Sequence, residues 1–476
     1  MRKTKIVCTL GPASSSEKTM EAMLRAGMNI ARLNFSHGTH ESHREYIETF
    51  RRVRDRLGYP AAVMLDTGGP EIRTGTFPQG CVEICDGQIY TLTTAECEGC
   101  SERVSISYAD LPRQVCPGTT LLIDDGRVEL KVKSVEGCDI VCDVIHGGRI
   151  GNRKSVNVPG VPLDMPYLSE KDKSDLLFGI EMDVDFIAAS FARSKDDIIA
   201  MRKFLDYNAG HDIKIIAKIE NIQGIDNFNE ILSVSDGIMI ARGDMGVEVP
   251  FERLPGIQKR FNRRCYQSGK MVITATQMLE SMVHSPTPTR AEITDVANAV
   301  FDGTSAVMLS GESAMGEYPV EAVRTMASIA RQAEKDAFEM DVYRGIIHDM
   351  DIQDTTNAIC DATCTTARDV NAKAIVAVTM KGHTARRMSK FRPKEPVIAA
   401  TPLIKTFHQL SLSWGVYPVV ARFITSSDEL FIHAVDCAKQ LDMVQNGDRV
   451  VITAGIPLEG SAATNTLRVC VIGDRF

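Results

Sequence analysis

Ile213-Lys-Ile-Ile-Ala-Lys-Ile-Glu-Asn221 and Gly237-Ile-Met-Ile-Ala-Arg-Gly-Asp-Met-Gly246 are two apolar runs that each end abruptly in charged residues. If each run is a β-strand, its side chains alternate between two faces, so Lys218 and Glu220 point the same way near the end of the first strand. Asp244 follows the second strand in the corresponding place. Two carboxylates beside an ammonium predict a Mg²⁺ ion that holds an anionic substrate, with the lysine taking up developing negative charge. This combination is typical of phosphoryl transfer.

These two runs belong to a longer series in which β-like segments alternate with amphipathic helical segments. Eight units of this kind in series predict a closed (β/α)₈ barrel, the TIM barrel, rather than an open sheet. The predicted strands are Thr4–Leu10, Met28–Leu33, Ala61–Leu65, Val184–Ala189, Lys214–Ile219, Gly237–Ala241, Met271–Ala275 and Ser305–Leu309. The predicted helices include Glu17–Ala26, His40–Leu57, Glu170–Glu181, Lys195–Asn208 and Phe251–Ser268, and Thr289-Arg-Ala-Glu292 has capping-box spacing.

The alternation is interrupted once and is followed by a separate unit, so three domains are predicted from a chain of 476 residues. Short Val, Ile and Thr runs between Asp-Gly, Pro-Gly and Gly-Gly turns predict an all-β domain inserted after the third barrel strand. After residue 345, helical segments alternate with five β-like runs, which predicts an open α/β layer. The predicted limits are 1–69 and 167–344 for the barrel, 70–166 for an inserted β-barrel lid, and 345–476 for a C-terminal α/β domain.

Charge and hydropathy exclude several classes of function. The net charge of −8 leaves no basic excess for nucleic acid or an anionic membrane. The N-terminal apolar run is too short for a signal peptide, and no later run approaches a membrane span. The sequence therefore predicts a cytoplasmic protein that binds neither nucleic acid nor a membrane.

Seven of the thirteen cysteines fall between residues 81 and 142. Cys97-Glu-Gly-Cys100 has the CxxC spacing of zinc and redox sites, and Cys81 and Cys85 would complete four ligands. The alternative is a set of reduced thiols that pack as small core residues. The alternative is favoured because the sequence lacks two CxxC pairs at zinc-ribbon spacing.

Polar residues follow almost every predicted barrel strand at the same end, where barrels of this kind carry their catalytic groups. Each of these residues alone also fits a structural role, since an Asp after a strand is usually a helix cap. Together they fit one chemistry: arginines for phosphate, carboxylates for Mg²⁺, and a further group of oxygens for a monovalent cation. The residues are Arg32, Asn34, Ser36, His37, Asp66, Thr67, Arg73, Lys218, Glu220, Arg242, Asp244, Thr276, Gln277, Ser310 and Glu312.

Several segments resemble motifs of the pyruvate kinase family, in the same order, from Thr4 to the C-terminus. They include Ala31-Arg-Leu-Asn-Phe-Ser-His-Gly38, Lys218-Ile-Glu-Asn221, Ala241-Arg-Gly-Asp-Met-Gly-Val-Glu248 and Ala275-Thr-Gln-Met-Leu-Glu-Ser281. The architecture of that family, a barrel with an inserted β domain and a C-terminal α/β domain, agrees with the predicted one. The resemblance implies phosphoryl transfer from phosphoenolpyruvate to ADP, which gives pyruvate and ATP, in a homotetramer.

The resemblance also implies roles for individual residues. Lys218 corresponds to the residue that stabilises the transferring phosphoryl group, and Thr276 and Ser310 to a water-mediated proton path. Glu220 and Asp244 correspond to the ligands of Mg²⁺ or Mn²⁺. The implied K⁺ ligands are Asn34, Ser36, Asp66 and Thr67. The implied substrate-binding residues are Arg32, Gly243, Asp244 and Thr276, and the implied nucleotide-binding residues are Arg32, His37, Arg73 and Lys154.

Three positions distinguish this chain within the family resemblance. Glu71 matches the variant that the family associates with K⁺ dependence. Gly68 stands where the family usually has lysine, which removes a positive charge near the phosphates and weakens the expected affinity. Ser155 stands where Lys-Gly is common.

A turn in the C-terminal unit, Thr379-Met-Lys-Gly-His-Thr384, follows a predicted strand and opens a helix. Thr379, Lys381 and Thr384 there are candidates for binding a phosphate, and the turn resembles the sugar-phosphate effector site of regulated pyruvate kinases. The facing loop, Gly455–Ser461, leaves open whether the effector is a sugar phosphate or a nucleotide. An ordinary helix cap is the alternative.

Two other functions fit part of this pattern. A metal-dependent aldolase or lyase barrel would share the carboxylates but would not need Lys218, the K⁺ group or an inserted lid. A catalytically silent sensor of sugar phosphates would be expected to have lost Lys218, Glu220 or Asp244, and all three are present.

Overall fold

The computed structural model describes residues 1–343, 354–457 and 463–474. The predicted boundary at residue 344/345 and residues 458–461 of the predicted effector loop lie outside this part of the chain. Within it, no helix is both long enough and apolar enough to cross a membrane.

Eight parallel strands close into a barrel in which each strand pairs with its neighbour in sequence and the eighth pairs with the first. This confirms the predicted fold, and the strand ends agree with the prediction to within two residues. In chain order the barrel strands, numbered one to eight below, are Lys5–Thr9, Ile30–Asn34, Ala62–Asp66, Phe186–Ala189, Lys214–Ile219, Gly237–Ala241, Met271–Ala275 and Ala306–Leu309.

The alternation of side chains sets which residues fill the barrel. Ile216 of strand five belongs to the cluster inside the barrel, whereas Ile215 and Ala217 pack in the layer between strands and helices. Lys218 therefore follows Ile216 on the inner face, as the period of two requires. Leu412, from the C-terminal unit, joins the same inner cluster.

The surrounding helices begin at capping residues that the sequence makes recognisable. Ser16, Thr39, Ser169, Ser194 and Thr289 each accept a hydrogen bond from a backbone N–H in the first turn of their helix. Such caps satisfy amide donors that lack partners within the helix. The α-helices are Glu17–Ala26, His40–Leu57, Glu170–Glu181, Lys195–Tyr207, Ile222–Asp226, Phe228–Val234, Arg242–Glu248, Leu254–Gln267, Arg290–Phe301, Gly311–Ala314 and Pro319–Glu339.

The insert between barrel strands three and four is built of short strands around its own apolar core. Six of them form one sheet and the other two, Cys81–Ile84 and Gly148–Gly151, form a separate antiparallel pair. A four-residue helix, Leu111–Gln114, was not predicted. The sheet strands, in spatial order, are Val156–Asn157, Thr120–Ile123, Val128–Glu136, Asp139–His146, Ile89–Thr93 and Arg103–Ser105.

The C-terminal unit is an open five-stranded sheet with helices, as predicted. Four strands are parallel and the last pairs antiparallel at the edge. In spatial order they are Val416–Val420, Val397–Thr401, Ala374–Val378, Arg449–Ala454 and Thr466–Val471. Its α-helices are Thr355–Asp369, His383–Lys390, Ile404–Gln409 and Ser427–Gln440.

Candidate active site

A cavity of about 580 Å³ lies between the C-terminal ends of the barrel strands and the insert. Most of the predicted site residues line it. From the barrel these are Arg32, Asn34, Ser36, His37, Lys218, Glu220 and Asp244, and from the inserted segment and its approach Gly68, Glu71, Arg73, Lys154 and Ser155. The structure therefore brings together groups that are up to 212 positions apart in the chain, from Arg32 to Asp244.

Lys218 lies at the centre of this arrangement and is almost fully buried. Its ammonium is 2.9 Å from Asp66 Oδ1, 3.0 Å from Glu220 Oε1 and 2.7 Å from Ser190 Oγ. Burial lowers the pKa of Lys218, but the carboxylates of Asp66 and Glu220 outweigh it and raise that pKa above its ordinary value. The side chain is therefore a positive charge held in place at the wall of the cavity.

Glu220 and Asp244 supply the two carboxylates expected for a divalent ion. Glu220 is 1% exposed, and its Oε2 accepts a 2.6 Å hydrogen bond from the Phe191 amide. Burial raises the pKa of Glu220 against the opposing effect of Lys218, and the nearby Asp244 carboxylate adds to the rise. The buried Glu220 carboxylate and the half-buried Asp244 carboxylate repel each other and would be stabilised by a cation between them.

Arg32 and Asp66 form a buried ion pair beside Lys218. The Arg32 Nε atom is 2.6 Å from Asp66 Oδ2, and its Nη1 donates to Thr9 Oγ1 at 2.8 Å. Burial raises the pKa of Asp66, but Arg32 and Lys218 together hold it below its ordinary value. Asp66 therefore fixes the orientation of the Arg32 and Lys218 side chains at the cavity wall.

The oxygen-rich group predicted for K⁺ lies next to this pair. Asn34 Oδ1 accepts from the Ser36 amide at 3.1 Å, and the Thr67 hydroxyl donates to Ala188 O at 3.3 Å. The Thr67 carbonyl accepts from Ser190 Oγ at 2.6 Å. Carboxylate, amide, hydroxyl and carbonyl oxygens are hard donors that suit an alkali cation.

The predicted nucleotide residues form the outer part of the cavity. The Arg73 guanidinium is 2.6 Å from Glu71 Oε2, and the Lys154 ammonium is 2.8 Å from Asp124 Oδ1. Burial, with Arg73 and Arg32 nearby, lowers the pKa of His37, so its imidazole is neutral at pH 7. The Arg73 and Lys154 side chains are thus both held by carboxylates at the rim of the cavity.

Five of the predicted substrate, cation and catalytic residues do not line this cavity within the described residues: Asp66, Thr67, Gly243, Thr276 and Ser310. The Gly243 amide donates to Thr276 Oγ1 at 2.8 Å, and that hydroxyl donates to Ala275 O. Thr276 has a φ of 69°, a left-handed backbone that L-residues keep only when their surroundings impose it. The Ser310 amide donates to the buried Glu312 carboxylate at 2.7 Å.

Arg242, which also follows a strand, has a structural partner. Its guanidinium is 2.7 Å from Asp295 Oδ1 and donates to Thr276 O at 2.7 Å. It joins the ends of barrel strands six and seven.

Sequence reasoning missed Ser190 and Phe191. Both line the cavity and both contact the central charges, Ser190 through Lys218 and Phe191 through Glu220. The signal was available, because they directly follow the predicted strand Val184–Ala189, at the end where the other strands turn polar. A serine and a phenylalanine carry no charge, so they did not stand out.

A second cavity, of about 710 Å³, lies in the C-terminal unit. All three predicted effector residues line it, and Thr384 Oγ1 is 2.8 Å from Thr464 Oγ1. Arg387 and Arg422 add positive charge to its wall. The helix His383–Lys390 begins after Gly382, which has a φ of 79° and makes no side-chain cap.

The cysteines of the insert are all free thiols. Among the described residues, no group of three or more His, Cys, Asp or Glu side chains is arranged to hold a metal ion. Cys142 is buried, whereas Cys85, Cys100, Cys116 and Cys138 are exposed.

The chain is similar to known proteins in both sequence and structure. The family model "Pyruvate kinase, barrel domain" matches residues 1–323, and "Pyruvate kinase, alpha/beta domain" matches residues 357–470. The chain is 49% identical over 473 residues to a pyruvate kinase of Clostridium acetobutylicum, covering 99% of this chain and 100% of that one. It is 48% identical over 481 residues to one from Staphylococcus saprophyticus, covering 100% of this chain and 81% of the relative. A crystal structure of a pyruvate kinase from Cryptosporidium parvum is similar with a TM-score of 0.92 at 39% identity, covering 99% and 96% of the two chains.

Proposed function

The chain belongs to the pyruvate kinase family, whose reaction transfers the phosphoryl group of phosphoenolpyruvate to ADP, and we propose that the barrel-mouth cavity carries out this transfer with Lys218 at its centre. The observation that carries the proposal is the Lys218 ammonium, held between Asp66 and Glu220 in a buried pocket that also contains Asp244. A metal-dependent aldolase or lyase would not need a lysine beside its metal site, and a silent sensor would not need to keep it.

In this proposal the protein positions the reactants and neutralises charge. Arg32 is already held by Asp66 and Thr9, so its remaining donor group can bind a phosphate oxygen without reorganisation. Lys218 stabilises the negative charge of the phosphoryl group during transfer. The insert covers the cavity and limits the access of water, which would otherwise accept the phosphoryl group.

Glu220 and Asp244 fit a divalent cation, Mg²⁺ or Mn²⁺. Two carboxylates leave most coordination positions to substrate oxygens and water, which is how Mg²⁺ is usually held at phosphate sites. When bound, the ion supplies positive charge to the phosphate oxygens. The Phe191 amide holds Glu220 Oε2 in a fixed orientation through a hydrogen bond, while Glu220 Oε1 faces Lys218.

A K⁺ ion fits beside the arginine and lysine, with Asn34, Ser36, Asp66 and Thr67 as ligands. The support is the mixed set of oxygens on adjacent strand ends. The half-buried Glu71 carboxylate lines the same cavity, where it pairs with Arg73. Comparing rates in KCl and NaCl tests this part of the proposal.

Gly243, Asp244 and Thr276 are proposed to bind the carboxylate end of phosphoenolpyruvate, and His37, Arg73 and Lys154 the phosphates of ADP. Arg73 and Lys154 would exchange their carboxylate partners, Glu71 and Asp124, for phosphate oxygens. Thr276 and Ser310 are proposed to order the water that protonates the enolate.

Regulation by a phosphorylated metabolite is proposed for the second cavity, at Thr379, Lys381 and Thr384. Its support is the cluster of Lys381, Arg387 and Arg422 around a space large enough for a sugar phosphate or a nucleotide. A homotetramer is also proposed, and the edge strand Thr466–Val471, with Val469 exposed, is a surface that another copy can cover. A cytoplasmic location follows from the glycolytic substrates of the family.

Replacing Lys218 by methionine tests the central proposal. We expect kcat to fall by at least about 10² to 10³, the range for losing one preorganised charge-stabilising group. Binding of Mn²⁺, measured by electron paramagnetic resonance without turnover, should stay within about threefold of wild type. Lys214→Met, at the other end of the same strand, is the matched control and should turn over normally. Near-normal kcat in Lys218→Met would refute the assignment.

A further inference from the structure

We propose that Ser190 and Phe191 are positioning residues for the transfer, with Ser190 fixing the Lys218 ammonium and Phe191 fixing the Glu220 carboxylate. The proposal rests on the proposed function, since it assumes that Lys218 and Glu220 act in the reaction. Neither residue resembles a metal ligand or a charged substrate group. Ser190 acts through Lys218, and Phe191 acts through Glu220.

Ser190 is the third acceptor around the Lys218 ammonium. Its Oγ is 2.7 Å from Lys218 Nζ and 2.6 Å from Thr67 O. A hydroxyl has one proton, so when it donates to the Thr67 carbonyl its lone pairs face the ammonium. The three N–H bonds of Lys218 then have three partners, and the side chain has one orientation.

Ser190 differs from the other two acceptors in charge. Asp66, which also pairs with Arg32, and Glu220 are carboxylates that balance the two cations, and a third carboxylate would add net negative charge at a site that must attract a phosphoryl group. A neutral hydroxyl holds the direction of Lys218 and leaves its positive charge available to the substrate. Ser190 also lines the cavity, so its hydroxyl lies where the reaction takes place.

Phe191 acts through its backbone. Its φ is 52°, in the left-handed region that is costly for a residue with a large side chain. In this conformation its N–H donates to Glu220 Oε2 at 2.6 Å. Backbone strain of this kind persists where the surroundings impose it, and it is concentrated at functional sites.

Gly69 supports this conformation from the neighbouring loop. It has a φ of 73°, and a Cβ at this position would lie 2.9 Å from Ser190 Cβ and 3.1 Å from Phe191 Cδ2. No Cβ fits at 2.9 Å without movement, so the absence of a side chain lets the two loops pack directly. The loop after strand three therefore fixes the loop after strand four.

The test for Ser190 is Ser190→Ala, assayed with saturating Mg²⁺ and K⁺. We expect kcat to fall about 10- to 100-fold, the range for losing one hydrogen bond to a charged group. The KM values for phosphoenolpyruvate and ADP, and the affinity for Mn²⁺, should stay within about threefold, because the Phe191 amide is retained. A purely structural role would instead lower stability without this separation of kcat from binding.

The matched control is Ser194→Ala, which removes another hydroxyl of the same loop, the cap of helix Lys195–Tyr207. It should lower the melting temperature but keep kcat. Wild-type kcat in Ser190→Ala, while Lys218→Met is inactive, would overturn the role of Ser190 and leave the proposed function standing. Turnover in Lys218→Met would instead overturn the proposed function.

The test for Phe191 is Gly69→Ala, because the added methyl group would displace both Ser190 and Phe191. In this variant the affinity for Mn²⁺ should fall together with kcat, because the displaced Phe191 amide no longer donates to Glu220. Unchanged Mn²⁺ affinity in a folded Gly69→Ala protein would overturn the role of Phe191.

Discussion

Gly68 leaves open space on the wall of the active-site cavity. A Cβ at this position would lie 3.8 Å from Asp172 Oδ1 and 4.0 Å from Ser36 Oγ, which are ordinary contacts, and its backbone is not left-handed. Gly68→Lys should therefore fold and place an ammonium near the bound phosphates. We expect the KM for phosphoenolpyruvate or ADP to fall severalfold, as for one added charge-assisted contact. Steady-state kinetics measure this change.

Gly68→Met separates charge from bulk, since it adds a chain of similar length without an ammonium. It should leave KM unchanged or raise it. Equal effects of the two substitutions would show that the missing lysine charge is not what limits affinity.

Lys218 and Glu220 could be predicted from sequence because the strand period alone places them on one face. The position of Ser190 at a strand end could be predicted, but its role could not, because that role exists only where Lys218, Asp66 and Thr67 converge from other strands. The left-handed backbone of Phe191 was hidden as well, since phenylalanine gives no sequence signal for a positive φ.

At the scale of elements, the barrel was predictable because each unit carries a clear apolar strand and a capped helix. The pair Cys81–Ile84 and Gly148–Gly151 was missed, since two of the four residues of Gly148–Gly151 are glycines, which predict a turn rather than a strand. The helix predicted from Phe251 begins as a 3₁₀ turn and becomes an α-helix at Leu254, where Pro255 suits the first turn.

The turn between strand Ala374–Val378 and helix His383–Lys390 carries the effector prediction. Lys381 lines the second cavity, and its carbonyl accepts from Arg386 Nη2. We expect Lys381→Ala to lose the response to a phosphorylated activator or inhibitor, because the phosphate loses its lysine. The measurement is a rate titration with sugar phosphates and nucleoside monophosphates at sub-saturating phosphoenolpyruvate.

Lys373→Ala is the matched control, because the exposed Lys373 precedes the same strand at its other end. It should respond as wild type does. An unchanged response in Lys381→Ala would remove this turn from the effector site, and no response of the wild type to any compound would remove the effector itself.

At the scale of the whole molecule, buried charged residues join the base of the barrel to the C-terminal sheet. Lys5, in barrel strand one, donates from Nζ to Val416 O at 2.6 Å and lies 4.8 Å from the Tyr417 ring. Burial, with Arg2 nearby, lowers the pKa of Lys5 to about 7. Its charge is therefore lost within the range of pH in which the enzyme can be studied.

The sign of the resulting pH dependence follows from proton binding. In the unfolded chain Lys5 keeps its ordinary pKa of 10.5, so between pH 7 and 10.5 the unfolded state binds more protons and folding stability rises with pH. Lys5→Met removes this contribution. The stability of wild type relative to Lys5→Met should therefore increase from pH 7 to pH 9, by at most about 1.4 kcal/mol per pH unit. Melting temperatures of both proteins across this range measure it, with the exposed Lys18→Met as control. A difference that does not change with pH would show that Lys5 stays charged at the junction.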